Sequence, residues 1–533
     1  MQKKVVAISI DSFSANYFEP WLKDGKLPVL RSLQKHGAYG PINKPSEHPH
    51  DNSWLSFYQG VWPHKSGEWG HQNFDPKTYT YKESPVHKAN SFQPFFAMYP
   101  DLKVVIFDAP HLLPVKDVNG VQIHGWGLEA NQYQPKSEPP ERIEEILEHY
   151  GPHPLFSSES VRKVASDDKK KIYSTRIPSI YDYEALKQVT EQAILGIKQR
   201  TKIILDLIKN EEWDFFFSTI GELHYASHLL WHLNLDHPLH DHMVKKKNED
   251  LLLQVAQAVD EAVGIIIEHL PVDSNLFLFS VSGMRSTYTE TNNHLLLPEF
   301  LYRWQFGRAA LAEGDISSPV SPPSTHFHRH WKDEVWSLRT IHGENDLESP
   351  SSQEAKGDPM DWSPANWYRP LWPRMKAFSL PNYSHGMIRI NLEEREGEGK
   401  VNESEYEQVC DDIEKALLKL TDPRTGKPLV YKILRTQQSK LFEGRSPDAD
   451  LMVTWNKDIT TDSAESSDIG RIGPGPYFRT GGHHQIGLCI AHGPDIKSKS
   501  SLPADASILD LTTTIIKMLG KEVPNHMEGK YLF

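Results

Sequence analysis

Two cysteines in 533 residues leave no material for a disulfide framework. Cys410 falls in an amphipathic helical stretch and Cys489 in an apolar strand, so both are expected in the core. Long hydrophobic runs are missing too. The N-terminal MQKKVVAISID passes from two lysines straight into the short run Val5 to Ile10, too brief for a signal-peptide core or a membrane span. A cytoplasmic protein with no membrane partner is expected. Positive charge is in deficit: 58 Lys and Arg against 71 Asp and Glu give a formal net charge of -13. That balance argues against a nucleic-acid or anionic-membrane binder that works through bulk charge. No internal repeat is evident, and the length allows either several average domains or one large α/β domain with insertions.

What is present alternates between strand and helix. Val5 to Ile10 is a β-branched run ending in Asp11, and Val104 to Phe107 repeats the form and ends in Asp108. Buried parallel strands have this composition. Leu186, Val189, Ala193, Ile197, Ile204 and Ile208 recur at helical spacing before the strand Trp213 to Thr219. Leu252, Val255, Val259, Val263 and Ile266 mark a second such helix, which leads into the strand Leu276 to Ser280. The last helix, Ile508 to Leu519, stops at Gly520. The pattern predicts one α/β domain over 1–533, a doubly wound, mostly parallel sheet with helices on both faces. Two stretches lack a clear period: 82–182, rich in Pro, His and charge, and 304–373, which holds several tryptophans and His326, His328 and His330. Both are expected as insertions that cap or border a site.

Histidines gather where strands run out. In GELHYASHLLWH, His224 and His228 stand four apart, so a helix beginning there lets two imidazoles converge on one ion. His483, in RTGGHHQIGLCIAHGPDI, is placed to supply a third, and an open α/β sheet binds ligands at this edge. Glu222 is a candidate base or fourth ligand. His484 is expected as a solvent-facing neighbour of the site, and His232, His237, His240 and His242 at the surface.

These motifs, with PSEHPHDNSWLSFYQGVWPHKSG (45–67), FLFSVSGM (277–284), MIRINLEEREGEGKV (387–401) and the C-terminal ILDLTTTIIKMLGKEVPNHMEGKYL, resemble the type I phosphodiesterase/nucleotide pyrophosphatase branch of the alkaline phosphatase superfamily. The resemblance implies a parallel-rich sheet with two metal ions, usually zinc, at its C-terminal edge. One ion takes Asp, His and His; the other takes Asp, Asp, His and a Ser or Thr nucleophile. By position, Asp11 matches an aspartate of the second set, while His228 and His483 match histidines of the first. The aspartate of the D-x-x-x-H motif falls on His224.

The departures are on the second set. The usual S-D-H-G-M is here Ser280-Val281-Ser282-Gly283-Met284, which removes a carboxylate and an imidazole and leaves the Ser282 hydroxyl as a candidate substrate contact. Counting from either side places the nucleophile on His48 or His50, so that histidine is a metal ligand, an acid/base or a nucleophile. A helix starting near Asp51 or Asn52 would turn its N-terminus toward an anion. Arg389 and Asn391, with Arg395 beyond, are candidates to bind an anionic small-molecule substrate or to hydrogen-bond a strand end. Three functions compete: a metal-dependent hydrolase or transferase of a phosphodiester or nucleotide-like phosphoester; a mononuclear metal enzyme of another type, such as a lyase, isomerase or condensing enzyme; and a non-catalytic binding protein. The cofactor is a divalent metal, one ion or two, and imidazole-rich ligation favours zinc.

Overall fold

A run such as Val5 to Ile10 has no charged face to turn to water, so it must be covered on both sides. In the computed structural model it lies inside a nine-stranded sheet. The structure describes residues 3–533 except 49–51, 71, 84–91, 128–134, 158–160, 168–169, 176–177, 234–236, 244–248, 319–330, 342, 344–345, 359 and 438–446. The strands that matter here are β1 (Lys4–Ile10), β2 (Ala38–Asn43), β3 (Val104–Phe107), β4 (Gly120–His124), β5 (Lys136–Glu138), β6 (Phe215–Ile220), β7 (Ser274–Phe279), β8 (Gly283–Ser286), β9 (Gly481–His484), β10 (Ile486–His492) and β11 (Ser500–Ser501). The main sheet runs β11-β2-β10-β7-β1-β6-β3-β4-β5. Its centre, β7-β1-β6-β3-β4, is parallel, while β10 and β5 pair antiparallel with their inner neighbours. The expected mostly parallel sheet is present, with antiparallel pairings toward its two edges.

Helices α1 (Ser53–Gln59), α2 (Tyr183–Asn210), α3 (Glu222–Leu230), α4 (Leu251–Glu268) and α5 (Ile508–Met518) divide between the two faces. Val6, Ile8, Ile10 and Phe216 pack against apolar positions of α2, α3 and α4. Val5, Ala7, Phe215, Phe217 and Phe277 pack against α1 and α5. Each fully buried Val, Ile or Phe contributes about 1.5–3 kcal/mol. Strand alternation therefore serves both cores from the same few residues. Cys410 and Cys489 are buried and free, as expected.

Both stretches without a clear period are built into the fold. The stretch 82–182 is not merely a border, because β3, β4 and β5 lie in it and complete one side of the main sheet. The stretch 304–373 is part of a larger lobe with its own core, which extends from Trp69 and Phe74 to Phe478. That lobe contains a four-stranded antiparallel sheet of Ala377–Leu380, Gly386–Ile390, Leu451–Trp455 and Val430–Arg435. The tryptophans that gave 304–373 its look of an insertion are core: Trp331, Trp367 and Trp372 are each no more than 2% exposed. His326, His328 and His330 lie outside the described residues. Among the described residues no helix is long and apolar enough to cross a membrane.

Candidate metal centre

Register brings the site residues level. In the parallel pairings Ile10 faces Ile220, and Ser9 faces both Thr219 and Phe279. Asp11, Gly221 and Ser280 therefore leave the sheet side by side. Asp11 is 1% exposed, and the residue after it, Ser12, adopts φ 72 while its N–H donates to Ser280 Oγ at 3.0 Å. A serine held in the left-handed region marks a turn fixed by its surroundings.

From Gly221 the chain enters α3, and the spacing of four puts His224 and His228 on one helical face. His483 arrives on β9, which forms an antiparallel ribbon with β8 in which Met284 faces His483. The three rings converge. His224 Nε2 lies 2.8 Å from His228 Nε2 and 3.2 Å from His483 Nε2. One ligand nitrogen from each falls within 4.8 Å of the others, the only such group among the described residues.

The far nitrogens of two rings face oxygen atoms. His228 Nδ1 donates to the Gly481 carbonyl at 2.7 Å, and His224 Nδ1 lies 3.0 Å from Asp11 Oδ2. Both protons therefore sit on Nδ1, leaving two Nε2 lone pairs pointed at each other, an arrangement that calls for a proton or a cation between them. Burial, then the charges of Arg479 and His224, hold His228 well below the usual imidazole range, so it is uncharged at pH 7. Tetrahedral zinc with bonds of 2.0–2.1 Å separates its nitrogens by about 3.3 Å, close to what the rings already span. The donor set fits a divalent ion, with the hydrogen-bonded outer groups that metal-binding histidines ordinarily have.

Asp11 stands behind His224 rather than in the three-nitrogen group, and its Oδ1 has no hydrogen-bond partner among the described residues. The Ser282 hydroxyl, fully buried, also lacks one, and Val281 is 0% exposed. Glu222 is turned away from the imidazoles. Its Oε1 accepts from Arg200 Nε and bonds His153 Nε2, both at 2.8 Å. Although burial opposes it, the Arg200 charge and the His153 bond bring this carboxyl down to about 2. A carboxylate so engaged is neither a fourth ligand nor a general base.

Arg389 and Asn391 are not brought to the site. Arg389 Nε donates to Glu396 Oε1 at 2.5 Å, and Asn391 bonds the carbonyls of Trp372 and Met375 at 3.0 and 2.8 Å. Both close the core of the second lobe, which is the strand-end role. Arg395 is likewise tied to Asp450. His232 and His237, expected at the surface, are 1% and 2% exposed; His232 Nδ1 bonds Thr480 Oγ1 at 3.1 Å. His240 and His242 stay near solvent.

His48 lies in a pocket between the sheet edge and the second lobe, together with Lys44, Glu290, Tyr383, His385 and His483. It is 3% exposed, packed at ring distances of 5.0 Å from Trp62 and 5.8 Å from Trp69, and neither ring nitrogen has a partner among the described residues. Burial first, then His64 and Lys44, push it down to about 3. His484 lines the pocket too and is pushed down to about 4, by burial before Arg285. His50 and Asp51 lie outside the described residues. The helix expected near them, α1, starts at Ser53 after Asn52 and spans seven residues.

Sequence reasoning missed three pocket residues, Lys44, Glu290 and His385, and the arginine that holds one of them. Arg479 grips Glu290 through two bonds of 2.9 Å, with Glu290 Oε1 4.0 Å from His228 Nδ1. His385 Nε2 donates to the Ser46 carbonyl at 3.1 Å and so holds the loop that carries His48. Lys44 donates to Ser53 Oγ at 3.0 Å. Arg479 sits immediately before the TGGHH motif and Lys44 immediately after β2, so proximity to a recognised element was the available signal.

A mostly parallel α/β sheet carrying histidines and an aspartate at its C-terminal edge defines a hydrolase-like architecture with a metal-type donor set. The family model for type I phosphodiesterase / nucleotide pyrophosphatase matches residues 5–484, and the chain belongs to that family, within the alkaline phosphatase superfamily and its fold. It is accordingly a phosphoester-hydrolysing enzyme. Murine ectonucleotide pyrophosphatase/phosphodiesterase 5, in an inactive variant with AMP, is similar at 11% identity and TM-score 0.48, covering 99% of this chain and 98% of that one. Phosphonoacetate hydrolase from Sinorhizobium meliloti 1021, in complex with phosphonoformate, is similar at 11% identity and TM-score 0.49, covering 97% and 96%. No curated protein matches the sequence.

Proposed function

We propose that the enzyme hydrolyses a small anionic phosphoester, a phosphodiester or nucleotide-like molecule, with one divalent ion, zinc by its donor chemistry, held by His224, His228 and His483. The convergence of three Nε2 atoms whose partner nitrogens are fixed by Asp11 and Gly481 carries this reading. Bound there, the ion supplies Lewis-acid polarisation of the phosphoryl group. The remaining work falls to the pocket. His48, uncharged at pH 7 and walled by two tryptophans, is placed to accept a proton or to attack phosphorus, with His50 as the second candidate for that role. Lys44 and Glu290, the latter gripped by Arg479, set the charge around the substrate, and the buried Ser282 hydroxyl, without a hydrogen-bond partner among the described residues, is a further candidate contact.

The test uses an activated phosphodiester. His48→Ala lowers kcat by about 10²–10⁴-fold while metal content stays at the wild-type level. His228→Ala loses metal and turnover together. Undiminished turnover in His228→Ala would refute the site; undiminished turnover in both His48→Ala and His50→Ala would remove histidine from the chemistry.

A further inference from the structure

Behind the imidazoles lies a second set of ionisable groups with almost no access to water. The side chains of Asp108, Arg200, Glu222 and His153 are each no more than 1% exposed. Arg200, on α2, donates from Nη1 to Asp108 Oδ2 and from Nε to Glu222 Oε1, both at 2.8 Å. Asp108 leaves the end of β3 and also accepts the backbone N–H groups of Trp126 and Gly127 at 2.9 Å. His153 reaches Glu222 Oε1 from the opposite direction. Two glycines make room for this set. A Cβ on Gly127 would lie 2.2 Å from Arg200 Nη2, and one on Gly196 would lie 2.4 Å from His153 Nε2.

Stability alone does not account for the arrangement. Taking several charges out of water is costly, and apolar residues of equal volume commonly stabilise a core as well or better. What charge-assisted bonds add is direction. The direction falls on the first residue of α3, whose N-cap, Gly221, offers no side-chain cap. Glu222 is thereby pinned at the entry to a helix that presents His224 two residues later and His228 one turn beyond. At the far end the helix is held by the bond from Thr480 N–H to the His228 carbonyl at 2.9 Å.

We infer that Asp108, Arg200, Glu222 and His153 are positioning residues for the metal centre: through Glu222 they fix the rotation and entry of α3, and with it the spacing of His224 Nε2 and His228 Nε2. The inference rests on the three-imidazole site proposed above. It ties metal affinity to a cluster that touches neither metal nor substrate.

The test measures zinc dissociation constants and the visible spectrum of the cobalt-substituted full-length protein. Arg200→Met raises the zinc Kd about 10–100-fold and shifts the cobalt bands, and the isosteric Glu222→Gln does so to a smaller degree. Lys332→Met serves as control. Lys332 is 4% exposed and bridges Asp361 and Glu354 in the second lobe, so its loss lowers Tm but leaves Kd and spectrum at wild-type values. Wild-type Kd and spectrum in both Glu222→Gln and a folded Arg200→Met would overturn the inference, as would an equal weakening in Lys332→Met. Should Arg200→Met fail to fold, Glu222→Gln decides alone. A wild-type protein that takes up neither zinc nor cobalt would overturn the metal centre and this inference with it.

Discussion

At Asp11 and His224 an exchange of one side chain alters the work of both. The family pattern has an aspartate at the position of His224, whereas here an imidazole stands there with the Asp11 carboxylate 3.0 Å behind its Nδ1. A carboxylate in that place fixes the ring and its tautomer and raises the basicity of Nε2. Asp11→Asn is therefore expected to weaken zinc binding about 10–100-fold without changing the number of ions bound at saturation, measured by competition with a chelating dye. A change in the number of ions would make Asp11 a ligand itself. Arg200 offers a second residue-scale lesson. It occupies a core position in the helical pattern of Ile197, Thr201 and Ile204, and an arginine on an apolar face signals a buried partner. That partner is Glu222, for which the sequence, with no view of Arg200 in space, offers the roles of base or fourth ligand.

At the scale of elements, α3 and β9 form one unit. Thr480 bonds the His228 carbonyl through its N–H and His232 Nδ1 through its hydroxyl. Thr480→Val keeps the shape and removes the second bond, which is expected to cost about 1–3 kcal/mol of stability because a buried imidazole nitrogen is left unpaired. Urea unfolding at pH 7.5 measures it; an unchanged midpoint would show that His232 finds another partner. The same elements show what was legible. Strands β1, β3 and β7 and helices α2, α4 and α5 were readable because each has a clean period and is buried by neighbours close at hand. The second lobe was not, because its core is assembled from Trp69, Leu301, Trp372, Ile388 and Trp455, which share no period. For that reason the two roles open to Arg389 and Asn391, anion binding and strand-end hydrogen bonding, could not be separated from sequence. Their neighbours in space, Glu396 and Trp372, are set by that lobe and not by the sheet edge.

For the whole molecule, histidine burial sets the response to acid. Burial is the largest cause in every case: His48 and His294 are pushed down to about 3, His232 to about 4, and His228 and His237 well below their ordinary value of 6.5. Their folded values lie beneath the unfolded one, so between pH 6.5 and about 4 the unfolded chain binds protons that the native state refuses. Stability is fully present above pH 6.5 and falls as the pH drops, by about 1.4 kcal/mol per pH unit for each such histidine. The urea midpoint is expected to decrease between pH 7 and 5, and less steeply in His294→Phe, a site in the second lobe beside Trp362 and Tyr383. A flat profile would mean that these rings accept protons in the folded protein.

Three imidazoles are proposed to hold a single ion in place of a two-ion centre. Elemental analysis of protein purified without chelator or added metal, alongside His228→Ala, addresses this most directly. One equivalent of zinc per chain, lost in His228→Ala, is the expected result. Two equivalents would rule out a single-ion centre, because a second ion would need ligands from the loop of His48 and His50, and no metal in the wild type would remove the site altogether.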